Sequence, residues 1–405
     1  MDPVVLAFVV AGTIIILGFL GEEFSKRTGI PDPILLLLFG VLLGPVFNVF
    51  SREQLVPITP YFAALALITI LFDGGLNMKI KEAIRNSPRA LILGFSGWTI
   101  NVLVTAFLCK YLLGWRLLNG LLLGSIVGGS SSIIVIALAR KLGVDSKTET
   151  ILSLESILTD VLCTVGAFVA IDIILSGEVS LQVALSSVAI AFAVGIIVGL
   201  LIGIAWLNIL EGIKGKPNAY MLTLAILLLT FFVARNLGGT GAISALFFGL
   251  VIGNAPSFAK LVKFNNSCTV SADESVRNFH GQISFLIRSF FFVFTGLLFS
   301  FSSLTLVFFG LLLAFVFLGI RFFAVKLSFV RSSSKDMEML MTVMLPRGLA
   351  AAVLASLPFV SGVPGSEVFP EVAFIVILFT IIICTVGVAF LRTRARSTSS
   401  SRALA

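Results

Sequence analysis

Apolar stretches of about twenty residues follow one another almost from end to end of this 405-residue chain, separated by short loops rich in Gly, Pro, Asn and charge. That pattern leaves no room for a soluble domain. A bilayer core of ~30 Å takes one helix of ~20 apolar residues per crossing, and inside lipid the backbone polar groups have to be satisfied within helices or a closed barrel. With 58% hydrophobic and 12% charged residues, the composition lies far outside the soluble range. The expectation is an all-α polytopic membrane protein with a single membrane domain over residues 1–391 and a basic polar tail, expected to be disordered, over 392–405.

Loop residues divide the chain into thirteen spans, at approximately 3–20, 32–50, 60–77, 89–113, 117–140, 148–175, 180–209, 218–236, 240–259, 281–300, 303–330, 336–359 and 367–391. The first lacks the basic leader of a signal peptide and is read as a span. Loop charge tests this division. Odd-numbered loops and the C-terminus hold most of the lysines and arginines, from Lys26 and Arg27 through Lys214 and Lys216 to Arg392, Arg394 and Arg396. Even-numbered loops hold only Arg52, Lys110, Arg116 and Arg235. Basic residues favour the cytoplasmic side, so the N-terminus is expected outside and the C-terminus in the cytoplasm of a cell membrane. The net charge of +8 is thereby a membrane signature, and no nucleic-acid partner is expected.

Other chemistry is poorly represented. Cys109, Cys163, Cys268 and Cys384 are isolated, with neither disulfide nor zinc spacing, and His280 is a lone histidine, read as interfacial. Without an HExxH or GxSxG motif, no enzyme and no cofactor are expected.

The sixth span, TETILSLESILTDVLCTVG, carries two acids, Glu155 and Asp160. A carboxylate at the centre of a span costs about 2.5–3.5 kcal/mol on insertion scales, so each needs a partner or a use. Helical spacing puts Ser156 on the face of Asp160 and Thr159 on the face of Glu155, while the two acids point in different directions. Arg288, Arg321, Lys326 and Arg347 lie in or near spans and are candidate partners. Two other spans look interrupted, the fifth at Gly128, Gly129, Ser130, Ser131 and Ser132 and the twelfth at Pro346, Arg347 and Gly348. If the chain is two inverted six-helix repeats, about 3–175 and 218–391, joined by a linker helix at about 180–209, both breaks fall on the fifth helix of a repeat. Paired interrupted helices in matching positions point to a transport site. A rise of ~1.5 Å per residue places Ser131, Arg347 and Asp160 near the midplane.

These residues resemble the monovalent cation:proton antiporters, in their NhaP-like, Na+/H+ exchanger branch. ESILTD (155–160) is similar to the family's ExxxND or ESxxND helix, and LFDGGLN (71–77) to its FEGGL segment. FFFVFTGLLF (290–299) resembles its FFxxxG segment, PRGLAAAVLA (346–355) its broken-helix motif, and GIRFFAV (319–325) its eleventh-helix arginine segment. The resemblance implies the NhaA/NhaP-like fold, a homodimer, and electroneutral exchange of Na+, Li+ or K+ for H+ by an elevator-type movement.

On this reading Asp160 binds either H+ or a dehydrated cation, and the competition is the coupling. Ser156 and the hydroxyls and freed carbonyls around Ser130, Ser131 and Ser132 are candidate oxygen ligands. Thr159 stands where relatives carry Asn, and Ser131 where they carry a carboxylate, so the usual ligand set is incomplete. The resemblance pairs Glu155 with Arg321 as a structural brace, with Arg347 as the alternative partner. Asp73 is placed at a cavity mouth. Na+/H+ exchange is the leading reading and K+/H+ exchange the alternative, while a channel or uniporter would use the same acid as a selectivity element.

Overall fold

The computed structural model describes residues 3–28, 31–50, 56–78, 80–142, 144–177, 181–213, 219–261, 274–299, 302–329 and 335–403. Arg52, Lys214, Lys216 and Cys268 lie outside the described residues. The described backbone contains sixteen α-helices. They are α1 (Pro3–Thr28), α2 (Pro33–Val41, continued by a π turn over Leu42–Val46), α3 (Thr59–Asn77), α4 (Ile80–Leu112), α5 (Leu117–Val127), α6 (Ser132–Leu142), α7 (Ser146–Ser176) and α8 (Leu181–Gly212). Then come α9 (Ala219–Asn236), α10 (Gly241–Gly253), α11 (Ala255–Leu261), α12 (Glu274–Leu297), α13 (Leu304–Ser328), α14 (Lys335–Val343), α15 (Leu349–Val360) and α16 (Phe369–Ala403).

Joined end to end, α5 with α6, α10 with α11 and α14 with α15, these helices make the thirteen segments expected from the sequence. Both expected interruptions are present: residues 128–131 separate α5 from α6, and residues 344–348 separate α14 from α15. Pro346 has no N–H to donate, and the glycines and serines around 128–131 hold a helix weakly. Four boundaries differ from the sequence reading by seven residues or more. The first segment continues to Thr28, the fourth starts at Ile80 and runs through Pro88, the tenth starts at Glu274, and the last continues as helix to Ala403, across the tail expected to be disordered. Among the described residues, six helices carry windows long and apolar enough to cross a membrane by themselves, including Lys147–Ser176 and Leu304–Ser328.

The chain divides into two compact units. One comprises residues 1–60, 86–171 and 289–405; the other comprises 61–85 and 172–288. Within the first, α13, α14 and α15 pack on α16, and α5 packs on α15. Its α2 and α12 meet at glycines, because a Cβ on Gly40 would strike the Val293 carbonyl and one on Gly296 that of Leu37. Small residues at such seams let helix backbones approach where no water drives them together. Within the second unit, α8, α9 and α10 pack on one another around a core that includes Phe72, Trp206 and Phe248.

Candidate functional site

The polar centre of the first unit is built on α7. Its start is fixed by Asp145, whose carboxylate accepts from the Thr148 N–H at 3.1 Å and the Thr148 hydroxyl at 2.6 Å. This satisfies one of the four orphan N–H groups of the first turn. The Thr148 hydroxyl beside it holds the Asp145 carboxyl below the usual carboxylate range. Further along the helix, the two acids lie inside the protein, Glu155 2% exposed and Asp160 6% exposed.

Glu155 is committed. Arg321 on α13 donates to both its oxygens, at 3.0 and 3.1 Å, and sends its Nε–H to the Met341 carbonyl on α14 at 2.9 Å. A fork-to-fork pair whose Nε–H is also satisfied is the geometry in which a buried ion pair can offset its desolvation. Arg347, the alternative partner, goes elsewhere. Its backbone N–H donates to the Thr380 hydroxyl at 3.0 Å, and its guanidinium lies 4.7 Å from the centre of the buried Phe317 ring.

The two breaks meet directly. The Ser131 N–H, at the start of α6, donates to the Pro346 carbonyl at 2.8 Å. A Cβ on Gly348 would collide with the Ser131 side chain, so the second break approaches the first as closely as glycine allows. Unwound backbone at membrane depth needs such replacement partners. The Ser130 N–H donates to the Thr159 hydroxyl at 3.1 Å, and that hydroxyl donates to the Ser156 carbonyl at 3.0 Å. Gly129 lies against Thr159 and Cys163, on the turn of α7 that carries Asp160.

Two of the hydroxyls expected as cation ligands, those of Ser130 and Ser156, are engaged with protein. Ser130 Oγ donates to Glu155 Oε1 at 2.9 Å and lies 3.0 Å from Ser156 Oγ, which links the first break to the Glu155–Arg321 pair. Ser130, Ser131, Ser156, Thr159, Glu155 and Arg321 form one polar cluster around the crossing, with Asp160 on the same helix. Asp73 belongs to the other unit. There it is half-buried and accepts from Asn77 Nδ2 at 3.0 Å, while Asn77 Oδ1 accepts from Arg277 at 2.9 Å. His280, read as interfacial, is buried there with its ring edge-on to Phe72.

Two supporting residues were missed by the sequence reading. Asn101 on α4 donates to the Gly128 carbonyl at 2.8 Å, and Trp98, one turn earlier, donates to the Ser125 carbonyl at 3.4 Å. Together they take carbonyls that α5 cannot satisfy at its C-terminal end. The available signal was an amide and an indole within an apolar run. Between α4, α7 and α13 lies a narrow cavity with room for about one water molecule. Trp98, Asn101, Glu155, Thr159, Arg321 and Arg347 are among the residues lining it.

The chain is 28% identical over 396 residues to the K(+)/H(+) antiporter NhaP2 of Shewanella sp. (strain ANA-3), a match covering 94% of this chain and 66% of that protein. It thus spans a little under two thirds of that relative's length. The Na(+)/H(+) antiporter ApNhaP of Aphanothece halophytica is 24% identical over 269 residues, covering 66% of this chain and 49% of that protein. The fold matches the solved sodium proton antiporter MjNhaP1 of Methanocaldococcus jannaschii with a TM-score of 0.78 at 23% identity, over 95% of this chain and 96% of that one. The all-helical fold is thus shared with a solved sodium proton antiporter. The family model described as "Sodium/hydrogen exchanger, transmembrane" matches residues 10–393, and with that match over nearly the whole chain, this integral membrane protein belongs to the sodium/hydrogen exchanger family.

Proposed function

We propose that the chain is a secondary antiporter that exchanges Na+ for H+, one for one, at Asp160. The observation that carries this reading is the division of roles between the two acids of α7. Glu155 is held by both arms of Arg321 and by Ser130, so its charge is neutralised in place. Asp160 lies one turn further on, beside the crossing of the two breaks, where a proton or a dehydrated cation would compete for a single carboxylate. Either ligand neutralises that acid and lowers the cost of moving it through a low-dielectric region, whereas the empty anion resists the same movement. The named activities of the relatives support cation/proton exchange as the class.

A second reading, K+ in place of Na+, is favoured by the likeness to the K(+)/H(+) antiporter NhaP2 of Shewanella and by Ser131, where the family resemblance implies a carboxylate. The cell membrane is the proposed location, with the N-terminus outside, the C-terminus in the cytoplasm and the functional unit a homodimer.

The test is flux in proteoliposomes under an imposed pH gradient, with Na+, Li+ and K+ supplied in turn. Na+ should dissipate the gradient most strongly, at a rate insensitive to a clamped membrane potential. Asp160→Asn should abolish exchange in protein that elutes and melts like the parent. Current without proton movement, or full exchange by Asp160→Asn, would overturn the proposal, and a preference for K+ would select the second reading.

A further inference from the structure

We infer that the cavity between α4, α7 and α13 is a binding site for a single resident water, held between Asn101 Oδ1 and Arg347 Nε, and that Asn101 is thereby a positioning residue for both breaks. Each end of this bridge is a buried group left over from a well-defined contact. Asn101 is 5% exposed; its Nδ2 goes to the Gly128 carbonyl, while its Oδ1 is buried with no protein partner. Arg347 is 2% exposed; its guanidinium lies over the Phe317 ring, while its Nε–H is buried with no protein partner among the described residues. Asn101 and Arg347 both line the same small cavity, and each thus carries a buried polar atom, one an acceptor and one a donor, that is unmatched among the described residues. Leaving either orphaned is costly, and native interiors meet such groups with ordered water when the space is polar and large enough.

The chemistry of the lining selects the ligand. A metal cation would face the guanidinium groups of Arg321 and Arg347. An anion would face the Glu155 carboxylate and the Asn101 carbonyl oxygen. A water molecule accepts from Nε–H and donates to Oδ1 at the same time, and its second proton can go to a free lone pair of Glu155. The bridge joins α4 to the second break through Arg347, while the amide of the same asparagine holds the first break through Gly128. Asn101 would therefore set the position of both unwound segments without touching a transported ion.

The direct test is a map of the full chain in lipid nanodiscs that resolves ordered waters. One water peak is expected within about 2.7–3.2 Å of both Asn101 Oδ1 and Arg347 Nε. An empty cavity, a direct Asn101–Arg347 hydrogen bond, or a peak with an ion's coordination shell would each overturn the inference. This test stands whether or not the chain exchanges Na+.

The functional test compares two substitutions. Asn101→Leu preserves volume and removes both polar groups, whereas Asn101→Ser opens room for a second water that can reach the Gly128 carbonyl and Arg347. If the role is positioning through water, Asn101→Leu should raise the cation KM by about tenfold with a smaller change in maximal rate, and Asn101→Ser should recover most of that loss. A purely packing role gives the reverse order, with Leu tolerated and Ser impaired, and that order would refute the assignment. Should Asn101→Leu fail to fold, Asn101→Ser and the water peak still decide the matter.

Discussion

Arg321 makes three charge-assisted hydrogen bonds, two to Glu155 at 3.0 and 3.1 Å and one to the Met341 carbonyl at 2.9 Å, with both partners of the pair nearly excluded from solvent. Removing one partner leaves the other charged in a place that cannot solvate it. Among the described residues, Arg321→Met leaves Glu155 with the Ser130 hydroxyl as its side-chain donor, and Glu155→Leu leaves Arg321 with the Met341 carbonyl as its acceptor. Each single change should cost about 3–5 kcal/mol, the range for breaking buried pairs. The double variant removes both charges and orphans mainly the Met341 carbonyl, a cost of about 1–3 kcal/mol. The coupling energy from the cycle should therefore be at least ~3 kcal/mol and favourable to the pair. Unfolding in mixed micelles of rising SDS fraction, followed by tryptophan fluorescence, gives the four stabilities. If the double variant loses the sum of the two singles, the two side chains do not act as a pair and the argument fails. If the double variant is stable yet exchanges nothing, the pair belongs to transport and not to the brace.

Gly348→Ala should separate the two breaks, because the new methyl group meets the Ser131 side chain; a loss of about 1–3 kcal/mol and slowed flux are expected, and an unchanged melt would refute the close approach. Thr159→Val keeps the shape but orphans the buried Ser130 N–H, so it should cost about 1–3 kcal/mol, whereas Thr159→Ser should be close to neutral in the same unfolding assay. Asp145→Ala removes the cap of α7 and should cost about 1 kcal/mol at neutral pH. Because the Asp145 carboxyl is held below its ordinary range, its contribution is present above the unfolded value of ~3.9 and is lost as pH falls through the lowered one. The gap between parent and Asp145→Ala should therefore narrow in strongly acidic buffer, and a gap that widens there would contradict the assignment.

The thirteen segments and both breaks were legible because each rests on a local rule: apolar length for the spans, and Pro346 and the Gly128–Gly129 pair for the interruptions. The Glu155–Arg321 pair was legible only through resemblance, since four basic residues in or near spans were candidates and helical periodicity does not say which neighbour covers a face. The fate of Ser130 shows the same limit. Its hydroxyl looks like a cation ligand in sequence, yet it turns to Glu155, because unwound backbone aims side chains by its contacts and not by a fixed period. Asn101 and Trp98 went unread for a further reason. They are uncharged residues in a long apolar run, and their importance comes from carbonyls left open by a break in a different helix.

The contact between Ser131 and Pro346 is made by main-chain atoms on both sides. Any residue except proline can supply the N–H at position 131, so the joint itself does not depend on which side chain stands there. Chemistry at that position can drift, from an acid to a hydroxyl, while the scaffold beneath it stays fastened, provided the new side chain clears Gly348. A fold joined in this way can take a new side chain at the joint by a single substitution without being rebuilt around it.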